Sequence, residues 1–365
     1  MTPFPREDYR GLTRYTPDRA PVALDLSDNT NLWGTPPAAL DRIRSATIDD
    51  LARYPELYAD TLREAVATRF GIDAACVTTG AGSDDVLDSA FRSAWGEGET
   101  VRYVAPTFSM TPVFAQMNGL ESVAVPWPEA VADPSRLLEG DPALVYVCRP
   151  NNPTGELVPT QWVERLIELR GDSGPLIVLD EAYADFCDDT FVPRAPDIPR
   201  LLVARTASKA YGLAGLRCGF AVGSREVALE IEKSRGPYKV TQLATEAAAL
   251  AVLDADGWMA ASISECIDNR ERLWKELHSR GLNPFESSAN FILFAPPNET
   301  NAPAQDIPSE LGREAAVDLR KRGVGVRPFT GVPGMGDGLR VTVGPWPLME
   351  RFLAALDKQI AEVRA

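Results

Sequence analysis

The segment Ala143-Leu-Val-Tyr-Val-Cys148 contains no charged or amide residue. A half-buried strand alternates apolar with polar positions, and this one does not. The run therefore predicts a strand buried on both faces, as in a parallel sheet covered by helices. It leads into Arg149-Pro-Asn-Asn-Pro-Thr-Gly155, whose residues favour a turn. Pro199-Arg-Leu-Leu-Val-Ala204 reads as a second buried strand, and Pro175-Leu-Ile-Val-Leu-Asp180 as a strand that ends in an acid. Further strands are expected around Cys76-Val-Thr-Thr79, Thr100-Val-Arg-Tyr-Val-Ala105 and Glu121-Ser-Val-Ala-Val-Pro126, with helices at 37–44, 61–70, 113–117 and from the turn at Gly80 to Phe91. Ligands of open parallel sheets bind beyond the carboxyl ends of the strands. The residues just past these runs are thus the ones where chemistry is expected.

Past the run at 199–204 comes Thr206-Ala-Ser-Lys-Ala-Tyr-Gly-Leu-Ala-Gly-Leu-Arg-Cys-Gly-Phe-Ala-Val-Gly223. It sets Lys209 among small and apolar residues, with no neighbouring carboxylate in sequence, and Arg217 eight positions on. A lysine in such surroundings can shed its proton and become a nucleophile, and an arginine fork suits a phosphate. Gly212, Gly215 and Gly219 leave room for backbone to approach a group that is not protein. Taken alone, Lys209 could equally be a surface residue and Arg217 half of a salt bridge. Past 76–79, Gly80-Ala-Gly-Ser-Asp-Asp85 opens a helix, whose free N–H groups and positive dipole end bind phosphate without any side-chain charge. Gly82, Ser83 and Asp84 are the candidates there, although Ser83 could also be a plain N-cap. A dinucleotide fingerprint would need a third glycine where Asp85 stands.

The 365 residues suit one large domain and a smaller one. The net charge of −15 repels nucleic acid and anionic membrane surfaces in general, while leaving local arginines free to meet a phosphorylated small molecule. No run of about 18 apolar residues could span a bilayer and the start lacks an apolar signal core, so a cytoplasmic protein is expected. Five scattered cysteines without a C-x-x-C pair, and His278 as the single histidine, argue against a disulfide framework, a zinc or other metal site, and histidine-based nucleophilic catalysis. His278 itself lies in a charged helix and is expected at the surface.

Ser208-Lys-Ala-Tyr-Gly-Leu-Ala-Gly-Leu-Arg-Cys-Gly-Phe220 resembles the S-K-A-F-G-L-A-G-L-R-x-G-Y segment of the histidinol-phosphate aminotransferase family, which belongs to the fold-type I pyridoxal-phosphate enzymes. Other stretches follow in that family's order: Asn29-Thr-Asn-Leu-Trp-Gly34, Arg53-Tyr-Pro55, Gly80-Ala-Gly-Ser-Asp84, Pro106-Thr-Phe-Ser-Met110, Asn152-Pro-Thr-Gly155, Asp180-Glu-Ala-Tyr183 and Gly338-Leu-Arg-Val-Thr-Val-Gly344. The resemblance implies a large domain, residues 35–260, with a mostly parallel seven-stranded sheet between helices. A smaller α+β domain would be formed by 1–34 and 261–365, and the protein would be a homodimer. It implies pyridoxal 5′-phosphate as cofactor, carried as a Schiff base on Lys209. Its phosphate would be held by Gly82, Ser83, Asp84, Ser208 and Arg217, and by Tyr54 reaching across to the partner's site, with Tyr58 as the near alternative; Thr206 would also contact the cofactor. Phe108 would stack on the pyridine ring, Asp180 would keep the ring nitrogen protonated, and Asn152 and Tyr183 would bond the ring's phenolic oxygen. Without the resemblance, Phe108 reads as core, Tyr54 as a packed loop aromatic, and Asp180 as a cap.

For substrates, the resemblance implies an amino donor and a keto-acid acceptor, most specifically histidinol phosphate and 2-oxoglutarate. Tyr15, Asn31, Arg327 and Arg340 would bind them. A related aminotransferase for aromatic or other amino acids keeps almost every motif, and a phosphothreonine decarboxylase shares the fold. Thr30 and Leu32 stand where the family has Glu and Pro, close to its substrate site. In the last third, helices are expected at 226–233, 241–254, 258–280 and 347–363, strands at 291–294, 324–327 and 339–343, and a surface loop at 295–308.

Overall fold

The structure is a computed structural model that describes residues 4–5, 7–14, 21–94, 99–298 and 309–364. Seven strands make the main sheet: β1 (Val77–Gly80), β2 (Thr100–Ala105), β3 (Glu121–Pro126), β4 (Leu144–Cys148), β5 (Leu176–Asp180), β6 (Leu201–Thr206) and β7 (Gly219–Gly223). Their order is β1-β7-β6-β5-β4-β2-β3. All pairings are parallel except those of β7, which runs against both neighbours. The expected mostly parallel sheet between helices is thus present. Every residue of β4, β6 and β7 is buried, which is why these strands show no polar alternation.

Register explains how the site is assembled. Cys148 on β4 pairs with Asp180 on β5, and Asp180 pairs with Ala204 on β6. The carboxyl ends of three strands are level, so the segments that follow them emerge side by side. Helix Ser83–Ser93 follows β1, and its N-terminus lies beside β7 because Gly80 pairs with Gly219. Gly82 precedes it at φ 88°, a conformation that costs glycine least.

A second sheet holds β8 (Phe291–Phe294), β9 (Arg327–Val332) and β10 (Gly336–Thr342) in the antiparallel order β9-β10-β8. Leu24–Asp25 pairs in parallel with Val324–Gly325, and Thr342 N–H donates to the Leu26 carbonyl at 2.9 Å. The early segment is therefore stitched to the late sheet. Helices Trp258–Ser279, Leu311–Lys321 and Trp346–Val363 accompany this sheet, and a continuous apolar core runs from Leu24 to Phe352 and Ile360.

Several expectations need correction. Arg327 begins a strand of its own, and β9 and β10 form a hairpin with a bulge between Phe329 and Val332. Helices Thr160–Arg170 and Leu311–Lys321 were not anticipated, although Trp162, Val163 and Leu166 make a helical apolar stripe. Residues 295–297 are buried, with Ala295 N–H bonded to the Leu282 carbonyl, so the surface loop does not begin there, and 299–308 lie outside the described residues. His278 is exposed as expected and stacks on Trp274, with ring centroids 4.9 Å apart. Among the described residues, no helix is long and apolar enough to cross a membrane.

Candidate active site

A cavity of about 770 Å³ opens where the carboxyl ends of β4, β5 and β6 meet the second sheet. Lys209 lines it and donates from Nζ to the Asp28 carbonyl at 2.9 Å. Removal from water pushes this amine down to about 8, and the positive charge of Arg340 adds to the effect against Asp28 and Asp84. The amine is thus within reach of its neutral, nucleophilic form near neutral pH. The Tyr183 ring lies 5.8 Å away.

Asp180, 3% exposed, is the acid at the end of β5. Burial raises it to about 6, against hydrogen bonds that favour its charge. Tyr146 Oη donates to its Oδ2 at 2.7 Å, and the Ala182 N–H to its Oδ1 at 3.1 Å. Tyr183 packs edge-on against Phe291 and accepts a hydrogen bond from Asn29 Nδ2 at 3.1 Å. Burial pushes its phenol up to about 12, so it remains a proton donor.

At the other end of the cavity, the start of helix Ser83–Ser93 faces the turn after Lys209. Arg217, left-handed at φ 50°, donates to Ser208 Oγ at 3.3 Å and to Asp84 Oδ2 at 3.2 Å. Thr206 Oγ1 donates to Ser208 Oγ at 3.0 Å. A Cβ on Gly82 would come within 2.7 Å of Arg217 Nη2, which could move aside, so it is the φ of 88° that favours glycine here. Gly219 does exclude a Cβ, but its close neighbours are Gly82 and Ser83, and those of Gly212 are Gly34 and Thr35. At these two glycines the approaching group is protein backbone, contrary to expectation, while Gly215 alone of the three lines the cavity.

The second sheet supplies the remaining wall. Arg327 and Arg340 are directly opposed in the β9–β10 register, and both line the cavity. Arg340 is 7% exposed; its guanidinium bonds Asn152 Oδ1 and, at 2.9 Å, the Ser27 carbonyl, and lies 5.2 Å from both the Phe291 and Phe329 ring centroids.

Most expected site residues meet in this cavity: Ser83, Asp84, Phe108, Asn152, Asp180, Tyr183, Thr206, Ser208, Lys209, Arg217, Arg327 and Arg340 line it, and Gly82 lies just behind Arg217. Asn31 does not. Its amide donates to the Ala210 carbonyl at 3.0 Å and its Oδ1 accepts from the Trp33 N–H, so it holds the lysine turn in place. Thr30 and Asn29 line the cavity instead. Tyr54 is 84% exposed, beside Tyr238 and away from the cavity of its own chain. Tyr15 lies outside the described residues. The sequence reading missed Tyr146, and it missed Asp85, which accepts from the Ala81 N–H and from Lys239 Nζ and so braces the helix start.

The donor set fits pyridoxal 5′-phosphate. Free backbone N–H groups, two hydroxyls and an arginine stand at one end for a phosphate, a buried carboxylate at the other for a pyridine nitrogen, and an amine of lowered basicity between them for an aldehyde carbon. Fold and site thus define a pyridoxal-phosphate enzyme. The family model described as aminotransferase class I and II matches residues 21–356, and the chain belongs to that family. It is 34% identical to an aromatic amino acid aminotransferase of Streptomyces coelicolor, over 96% of each chain. It is 36% identical to histidinol-phosphate aminotransferase 2 of Pseudomonas aeruginosa, over 93% of this chain and 90% of the relative. The structure of histidinol-phosphate aminotransferase from Sinorhizobium meliloti, in complex with pyridoxal 5′-phosphate, superposes with a TM-score of 0.82 at 25% identity, over 94% of this chain and 92% of the other. The protein is therefore a pyridoxal-phosphate-dependent aminotransferase.

Proposed function

We propose that the amino donor is histidinol phosphate and the acceptor 2-oxoglutarate, which places the enzyme in histidine biosynthesis. The observation that carries this reading is the opposed pair Arg327 and Arg340 on the cavity wall. Two guanidinium forks on one wall suit the doubly charged, multi-oxygen phosphate of such a donor. A second reading, transamination of an aromatic amino acid, is favoured by the apolar flank that Phe329 gives Arg340 and by the Streptomyces relative.

In this reading Gly82, Ser83, Asp84, Ser208 and Arg217 would hold the cofactor phosphate with Thr206 beside them, Phe108 would cover the ring, and Asn152 and Tyr183 would bond its phenolic oxygen. Bound pyridoxal phosphate supplies a sink for the electrons released when the substrate's C–H bond breaks. Asp180 holds the proton on the ring nitrogen that this requires. With the cofactor bound, Lys209 Nζ would be the group that takes the proton from the substrate carbon and returns it to the cofactor side, acting as both base and acid. Arg340, clamped by Asn152 and Ser27, orients the anionic end of the substrate.

The lobes would divide as 35–260 against 1–34 with 261–365. A homodimer is supported by the exposed apolar side chains Ile48, Leu51, Tyr54, Leu57 and Tyr238. Tyr54 would complete the partner's phosphate site, and a cytoplasmic location fits a biosynthetic enzyme.

Single-turnover spectra test the donor. The holoenzyme is mixed separately with histidinol phosphate, histidinol, phenylalanine and glutamate, and conversion of the cofactor to its amine form is followed. Fast conversion with histidinol phosphate and slow conversion with histidinol is the expected result. Equal or faster conversion with phenylalanine would overturn the phosphate donor and leave the aminotransferase assignment standing.

A further inference from the structure

We propose that Tyr146 is a positioning residue for the cofactor: from beneath the cavity it donates a hydrogen bond that keeps Asp180 ionised, and so able to hold a proton on the ring nitrogen. This rests on the cofactor assignment and is independent of which amine is the donor.

Tyr146 sits on β4 two residues before Cys148, hence on the same face of the sheet and one pleat below the cavity lining. Its neighbours in the strand, Leu144, Val145 and Val147, are apolar and buried, and Tyr146 itself is 1% exposed. A hydroxyl buried there is costly unless it is bonded, and its bond runs to Asp180 Oδ2 at 2.7 Å. The Ala182 N–H serves Oδ1, so each carboxylate oxygen has one donor. Against ionisation stand burial and the charges of Asp84, across the cavity on helix Ser83–Ser93, and Glu181, next in the chain. Cys148 and Tyr183 also face Asp180, and both are held neutral by burial. Tyr146 is likewise kept protonated by burial and by Asp180 itself, with Thr111 on its other flank. It therefore remains a donor well above neutral pH. Of the influences that favour the charged form of Asp180, the hydrogen bond from Tyr146 is the largest.

Tyr146→Phe removes the hydroxyl and keeps the ring that packs on Phe91. Two readouts apart from turnover test the proposal. The first is the Asp180 carboxyl resonance in apoprotein labelled at aspartate carboxyl carbons, assigned by its loss in Asp180→Asn. Its midpoint should rise in Tyr146→Phe by roughly one to two pH units, a ten- to hundredfold gain in proton affinity. The second is pyridoxal phosphate affinity between pH 5 and 9. Its acid-side decline should begin correspondingly higher in Tyr146→Phe, and adding that change to Asp180→Asn should do nothing more. An unmoved midpoint, or a pH-independent weakening that adds to that of Asp180→Asn, would reduce Tyr146 to packing and overturn the proposal. Should Tyr146→Phe not fold, 3,5-difluorotyrosine placed at 146 is a stronger donor and must lower the midpoint. No movement there overturns the proposal as well.

Discussion

The two anion-facing ends of the cavity are built on opposite plans. At the helix end, Arg217 has a side chain 51% exposed, is partly neutralised by Asp84, and shares its task with backbone N–H groups and two hydroxyls. At the sheet end, Arg340 is buried between two aromatic rings, its guanidinium fixed by Asn152 and a backbone carbonyl. The first spreads a modest load over many groups that tolerate water. The second concentrates it on a desolvated cation, where charge acts at short range and salt does not reach. An exposed, distributed site suits a cofactor that is also anchored elsewhere, and a dry, rigid one suits a substrate that must be oriented on each turnover.

The contrast fails if the two arginines respond alike. The largest effect is expected at Arg340: Arg340→Ala should lower kcat/KM by roughly a thousandfold, as for loss of a buried charge partner, with little change between low and high salt. Its cofactor affinity should stay within about twofold. A comparable loss of cofactor affinity would mean that the two ends are one site. Next comes Arg217→Ala, which exposes the bound phosphate to unpaired Asp84 and should weaken cofactor affinity by about tenfold at low salt. Screening over a Debye length of about 3 Å should shrink that deficit near 1 M salt. A deficit that persists undiminished would show that Arg217 acts as a buried group does. The smallest change sharpens the comparison by asking whether the exposed end is completed by a second chain. Tyr54→Phe should weaken cofactor retention about fivefold, the scale of one hydrogen bond, and unchanged retention would return Tyr54 to its packing against Tyr238.

Strands buried on both faces announced themselves in sequence because nothing polar can face a helix layer, and β4, β5 and β6 were legible for that reason. Lys209 and Arg217 were legible because they share one short segment. Tyr146 was not, since a tyrosine in an apolar run looks like core until its hydroxyl is seen to reach Asp180, 34 positions away. Asp85 and Lys239 are 154 positions apart and meet only in the fold. Asn29 and Asn31 are the same residue type two apart, yet one amide turns to Tyr183 and the other to Ala210. Motif resemblance finds the pair and cannot say which faces the cavity. The β9–β10 hairpin escaped because its turn, Pro333-Gly-Met335, lies between stretches interrupted by Pro and Gly that lack strand alternation.

The pairing of Gly80 with Gly219 carries a consequence for how this enzyme can change over time. The two halves of the proposed cofactor cup, near residues 82 and 217, come from distant stretches of chain, yet the ladder between β1 and β7 sets their separation, and a methyl group at 219 would strike Gly82 and Ser83. The cup behaves like a riveted joint with no slack. Changes around Arg327, Phe329 and Thr30 on the opposite wall leave this ladder untouched, while a side chain at 219 would disturb the sheet and the helix start together.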